Sequence, residues 1–528
     1  MSDHKNTILA IVLSLLVVVG WEYFFARPQL QKQAQQPQQE QTQPAPTRPA
    51  APAGGVPPTS GAPAPSAPAS QPQSRTRAAV LAAAPRVAID TPRLAGSIDL
   101  KGARIDDLSL KQYHETSSPN SPPIVLLSPD GAPDSYYSEF GWLPASGAIE
   151  KVPGQDTVWT REGSGALTAD HPVTLTYDNG EGLIFRRTIS VDGQYLFGIK
   201  NEVENKSGKP VTLYPYALIS RHGTPKTLGY YILHEGPIGV MGKDGLQEPS
   251  YKDIVSKKTE SWDVTDAWLG FTDKYWAAVL LPATDAIVQA RFTANKTGDA
   301  EDYQADYRGQ QPLTVAPGGS GSADTRLFAG AKEISVVGIN FPFGPGGYNQ
   351  ALHLNHFDLL IDWGWFYFLT KPMFLALDYF YRLVGNFGIA ILIVTVLVKL
   401  LFFPLANKSY ASMAKMKAVQ PEMAMIKQRY GDDRAKQQQA LMELYRKEKI
   451  NPVAGCLPMV IQIPVFFSLY KVLFITIEMR HAPFYGWIHD LSAPDPYFIL
   501  PIIYGLAYFL QAHVQPQITT DKMQQRLF

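Results

Sequence analysis

Three apolar stretches near the C-terminal end fix what this chain can become. Residues 386–405, about 454–476 and about 496–512 are rich in Leu, Ile, Val and Phe and nearly free of charge. About 20 apolar residues cross a bilayer, and in lipid only a helix satisfies the backbone of a single segment. The third stretch is short for an untilted span, which a locally thin bilayer or protein neighbours would accommodate. A fourth, "TILAIVLSLLVVVGWEYFF" (7–25), ends in aromatics suited to a membrane interface. "FFARPQ" follows it rather than a small-residue cleavage site, so 1–27 reads as an uncleaved anchor, not a signal peptide. The expected fold is a multi-pass α-helical membrane protein.

Between the anchor and the later spans lie two other kinds of sequence. Residues 28–85 are mostly Gln, Pro, Ala and Ser, too poor in large apolar side chains to offset ordering entropy, and are expected to be a disordered linker. From 86 to 345 short alternating runs are broken by Gly, Pro, Asn and Asp. "GLIFRRTISV" (182–191), "QYLFGIKNEVEN" (194–205) and "PVTLYPYALIS" (210–220) read as successive strands, and "AWLGFTDKYWAAVLLP" (267–282) as two more. A large antiparallel β-sandwich follows. Residues 346–385 are aromatic, but Asp358, Asp362, Lys371, Asp378 and Arg382 recur along them, the pattern of an amphipathic helix lying in the interface.

Several function classes find no support. "GPIGVMGKDG" (236–245) fails as a phosphate loop, with Pro237 in place of the first glycine and Asp244 where Ser or Thr is needed. His222 and His234 have no partners at metal-ligand spacing and read as ordinary surface or packing residues. The single cysteine, Cys456, excludes a disulfide framework and a cysteine zinc site. Net charge is zero, so nothing global points to direct nucleic-acid binding. We expect no catalytic residues, no metal and no cofactor: not an enzyme.

Charge sets the topology. Residues 406–452 hold ten Lys and Arg, whereas 479–495 hold only Arg480. The positive-inside rule puts the first loop in the cytoplasm and the second outside. Counting back, the β domain is outside and the N-terminus cytoplasmic; counting forward, the C-terminus is inside. Within 407–452, Met413, Met416, Val419, Met423, Ile426 and Tyr430 step by three and four, which predicts one helical stripe. Gly431 can cap that helix, Asp432 or Asp433 can start the next, and Leu441, Leu444 and Tyr445 give the second its apolar face. The methionines either pack within this helical hairpin or present an adaptable docking surface for partners.

One full charge interrupts "ILIVTVLVKLLFFPL" (391–405): Lys399. At 1.5 Å per residue it lies roughly 20 Å from the outer end of its span and about 10 Å from the inner one. It either snorkels to the interface or lines a wet cavity. Thr395 one turn away, Gly388 further back and Gln462 in the next span favour a polar stripe. Lys471, beside Phe474 and just before Glu478, reads as snorkelling.

"NKSYASMAKMKAVQPEM", "YGDDRAKQQQALMELYRKEKINPVAGCLPMVIQIPVFFSLYKVL" and "APFYGWIHDLSAPDPYFILPI" closely resemble the YidC/Oxa/Alb family of membrane protein insertases, in its Gram-negative form, and "FGWLPASG" resembles that family's periplasmic domain. The resemblance spans nearly the whole chain. It implies a chaperone and insertase of the bacterial inner membrane, with 28–385 periplasmic and 386–528 as core, working through a hydrophilic groove open to the cytoplasm and without nucleotide hydrolysis. Lys399 occupies the position of the groove's basic residue, more often arginine, with Thr395 and Gln462 beside it. Ile463, Phe466 and Tyr504 become hydrophobic substrate contacts. The hairpin, with Met413, Met416, Met423 and Tyr430, becomes the docking site for ribosomes and signal-recognition targeting factors. Nascent membrane proteins, the Sec translocon and lipids are the implied partners. The family pattern continues past "DKMQQRLF" into two more spans, so the groove is expected to lack part of its wall in this chain. Two rival readings are a membrane-anchored periplasmic module binding carbohydrate or protein, and a channel or transporter.

Overall fold

The computed structural model describes residues 75–118, 120–145, 150–227, 229, 232–297, 300–431, 433–451 and 457–514. The anchor expected at 7–25, most of the linker, Asp432 and Cys456 lie outside them. The described end of the expected linker holds a short helix, Arg77–Ala82, started by the Thr76 hydroxyl, which accepts from Ala79 N at 3.3 Å.

The alternating runs form two antiparallel sheets of ten and nine strands. The main path of the first runs Arg86–Asp90, Leu94–Asp99, Arg104–His114, Tyr136–Pro144, Val211–His222, Ala300–Gly309, Val288–Thr297, Thr259–Val264. The second runs Leu246–Gln247, Gly236–Met241, Ala267–Thr272, Trp276–Pro282, Ser320–Ala331, Leu196–Asn205, Leu183–Val191, Val173–Asp178, Thr160–Glu162. The pair of strands expected within 267–282 is present, in register Leu269 to Leu280. Period-two burial explains the layering: in Leu183–Val191 every second side chain is buried. One of those inward residues is Arg187. Its Nε donates to Asn201 Oδ1 at 2.7 Å and its Nη1 to Ala103 O at 3.0 Å; Nη2 donates to Phe140 O. The guanidinium thus ties the second sheet to the first through neutral acceptors, and burial pushes its pKa down to about 10. Tyr307 makes a second crossing, donating to Thr325 Oγ1 at 2.6 Å. His222 is a buried packing residue, stacked on Tyr137 with ring centroids 5.6 Å apart.

Six longer helices follow: α1 (Tyr367–Val384), α2 (Phe387–Ala418), α3 (Gln420–Tyr430), α4 (Arg434–Lys447), α5 (Leu457–Ile475) and α6 (Ile499–Val514). By length and composition α2 and α5 can cross a membrane; α6 is shorter. The Asn386 side chain caps α2, accepting from Ile389 N at 3.1 Å.

The helical hairpin differs from expectation. α2 runs unbroken for 32 residues, about 48 Å, so the first arm begins as a continuation of the span. It ends at Val419 because Pro421 enters the first turn of α3. The expected methionine stripe is therefore split, with Met413 and Met416 on α2 and Met423 on α3. Val419, Leu444 and Ile450 form a small core against which Met416, Met423, Ile426 and Tyr445 pack. Packing accounts for Met416 and Met423; Met413 and Tyr430 are half-buried. The exposed methionines of the hairpin are Met425 and Met442.

Buried ion pairs join the sandwich side to the helices. Lys371 of α1 donates to Asp358 at 2.7 Å, both side chains buried. Lys471 of α5 pairs with Asp362 at 2.6 Å and donates to the Ile232 carbonyl. The snorkelling expected of Lys471 is thus wrong: it is 8% exposed, covered by the turn at Gly364, where a Cβ would lie 3.3 Å from the lysine Cε. Nearby, Lys332 donates to Thr272 Oγ1 at 2.8 Å, and desolvation drives its pKa down to about 8. Desolvation, with Asp362 adding to it, lifts Glu248 to about 7.

Candidate functional site

α5 is mostly apolar and has no single apolar face, so its neighbours decide what each side does. Val465, Ser468, Lys471, Val472 and Ile475 are buried. The other face carries Ile463, Phe466, Phe467 and Tyr470, at the i, i+3, i+4, i+7 spacing of one helical stripe. These four line an open groove of about 300 Å³. Pro464 interrupts the helix's own bonding, and the Ser468 hydroxyl donates to the Pro464 carbonyl at 2.8 Å.

α2 changes character along its length. In its N-terminal part Phe387, Gly388, Ala390 and Val394 are buried. From 396 onward Val396, Leu397, Leu400, Leu401 and Phe403 are exposed. Lys399 stands in the open part, its Nζ 6.0 Å from the centre of the Phe466 ring. That is the outer range of a cation–π contact, and among the described residues no carboxylate lies within ion-pair distance of this lysine.

The structure therefore brings together Lys399, Phe466 and, through the shared groove, Ile463. Thr395 and Gln462 are half-buried on the same two helices. Tyr504 is not brought in: it is 74% exposed, on a helix whose side chains are exposed from 500 to 511. Nor does Gly388 extend the polar stripe. It admits Phe484 from the segment after α5, and a Cβ there would lie 2.1 Å from the ring. Stacking of Tyr381 on Phe387, with centroids 4.0 Å apart, helps close the same end. Phe467 and Tyr470 are groove residues that the sequence reading omitted, although their spacing carried the signal. Among the described residues no cluster of His, Cys, Asp and Glu is arranged to hold a metal ion.

Substituting Gly388 with leucine is expected to cost about 1–3 kcal/mol by overpacking, because the Phe484 ring must leave its seat. Thermal unfolding of the purified chain checks this. A second change, Phe484→Ala, should restore part of the loss, and a further additive loss would count against the contact.

Residues 86–376 match the family described as YidC periplasmic domain, and residues 379–528 match the 60Kd inner membrane protein family. The chain is 62% identical over 507 residues to the membrane protein insertase YidC of Bradyrhizobium diazoefficiens, covering 94% of this chain and 81% of that protein. It is 64% identical over 511 residues to the Nitrobacter hamburgensis protein of the same name, covering 96% and 82%. Among solved structures, a galactose mutarotase-like protein from Lactobacillus casei covers 47% of this chain and 100% of its own at 10% identity and a TM-score of 0.33, too slight a likeness to bear on sugars. Matched along both its sandwich and its helices, the chain belongs to the YidC family of inner-membrane protein insertases.

Proposed function

We propose that this chain lets transmembrane segments enter the inner membrane along the open face of α2 and α5, with Lys399 drawing the polar or acidic flank of the client partway into the bilayer. One observation carries this reading: α2 is packed near its outer end and open around Lys399, next to the apolar groove of α5. A client must carry a short polar tail across hydrocarbon, and desolvation of that tail dominates the barrier. A wet cationic recess reaching from the cytoplasmic side shortens the dry path. Burial of the client helix in lipid then supplies the driving force, roughly 25 cal/mol per Å² of apolar surface, so no nucleotide is required.

In this reading Lys399, Thr395 and Gln462 form the polar side, and Ile463, Phe466, Phe467 and Tyr470 the greasy slide. Residues 407–452 face the cytoplasm and meet ribosomes and targeting factors, with Met425 and Met442 as the exposed contact points. The sandwich is periplasmic, the N-terminus cytoplasmic, and the Sec translocon a neighbour. The test is site-specific photo-crosslinking from Thr395, Ile463 and Phe466 to a ribosome-bound single-span client. Adducts are expected from all three positions, weaker from Tyr504. Silence at all three would remove the groove from the mechanism.

A further inference from the structure

The segment 334–352, "ISVVGINFPFGPGGYNQAL", contains no charged residue, although it connects the sandwich to the interfacial region. Its middle is a closed loop. Ile339 N donates to Pro345 O at 2.9 Å, and Gly344 N donates to Phe341 O at 3.1 Å, making a tight turn over Phe341, Pro342, Phe343 and Gly344. Pro342 sits at the second turn position, where its fixed φ is favoured. The third position asks for Gly or Asn when φ is positive. Here it is Phe343, with φ of +64° and 104% exposure. A bulky ring in this backbone conformation is an outlier. The turn thus holds an aromatic side chain out, away from every other described ring.

The loop is not a loose tip. Asn340 N donates to Asp358 Oδ2 at 3.3 Å, the carboxylate that also takes Lys371 of α1, and Trp363 Nε1 donates to the Asp358 carbonyl at 2.9 Å. Four residues on, Asp362 holds Lys471 near the outer end of α5. Loop, α1 and the end of that helix are therefore one pinned block. Trp365, Tyr367 and Phe368 of the same block are also exposed, at 68%, 56% and 56%. Exposed aromatic rings beside the end of a span, one of them on an uncharged loop, suit the lipid headgroup boundary.

We propose that the 339–346 loop is a membrane foot of the periplasmic domain, inserting Phe343 into the outer leaflet. It rests on the reading that α2 and α5 cross the bilayer. Together with the Asp358 and Asp362 pairs, the foot fixes the sandwich's height over the groove.

The experiment uses the full chain with Cys456→Ser, carrying Phe343→Cys, Val158→Cys or Leu392→Cys labelled with a nitroxide and reconstituted in phosphatidylethanolamine–phosphatidylglycerol vesicles. Val158 is an exposed sandwich control and Leu392 an exposed control on α2, away from the recess at Lys399. Collision with oxygen relative to a water-soluble nickel chelate is expected to be about threefold or more higher at 343 than at 158, as for a group at the acyl boundary. A ratio at 343 equal to that at 158, with a lipid-like ratio at 392, overturns the foot alone. A water-like ratio at 392 overturns the membrane reading and the foot with it. Benzoylphenylalanine at 343 keeps a ring there and provides a second measurement. Adducts with phospholipid support the foot, whereas adducts with a client polypeptide overturn it and assign the loop to client contact.

Discussion

An Asp358→Ala chain is expected to lose about 3–5 kcal/mol of stability, the cost of leaving one member of a buried ion pair without its partner. The Asp358 residue is 0% exposed and Lys371 6%. Among the described residues, the second carboxylate oxygen of Asp358 has no hydrogen-bond partner, so Lys371 and the Asn340 amide are its main compensation. Removal strands the ammonium against the Trp363 and Tyr367 rings, 5.8 and 5.7 Å from their centres. Those faces soften the loss without replacing a carboxylate. Lys371→Met should cost a similar amount for the converse reason. The double variant Asp358→Leu with Lys371→Met should recover most of it, since a buried pair exchanged for apolar groups of similar volume is often neutral. Denaturant unfolding of the purified full chain in detergent, alongside protease sensitivity around 332–366, measures each variant. If the double variant were as unstable as the sum of the singles, the pair would not be what holds the junction.

That pair shows where sequence reading stops. Asp358 and Lys371 were visible as charges on an aromatic stretch, and their spacing suggested an interfacial helix. Their mutual burial depends on the bend at 360–366, which no periodicity reports. Lys471 failed for a related reason. Its distance from the end of the span allowed snorkelling, and only the turn at Gly364, packed over its stem, and the carboxylate of Asp362 make it a docked residue. The strands were legible because a half-buried strand alternates, but their order in the sheets is set by long-range pairing. In the hairpin the three-and-four spacing of apolar residues ran on through Pro421 and concealed the break that proline imposes. Lys399 was the opposite case, since a charge inside an apolar run stands out without any knowledge of the fold. Its neighbour Phe466 came from family resemblance, and so did Tyr504, which the structure leaves apart from the groove.

Reversing that charge gives the second large effect. Lys399→Glu is expected to lower insertion of clients with acidic tails by tenfold or more, while Lys399→Arg stays near the parent. An acidic client group passing roughly 8 Å from residue 399 gains about 2 kcal/mol from the cation at an effective dielectric of about 20. The reversed charge turns that gain into a comparable penalty, and each 1.4 kcal/mol is about tenfold. Clients with uncharged tails should be far less sensitive, because for them the recess supplies water rather than a counter-charge. Arginine keeps the cation and adds a planar fork. The readout is protease protection of a translocated tail in vesicles carrying each variant, with vesicle content and fold matched by limited proteolysis. Equal insertion by the Arg and Glu variants across both client sets would mean that Lys399 extends to the inner interface and takes no part. A loss that ignored the client's charge would point instead to damage in the packing of α2 against α5.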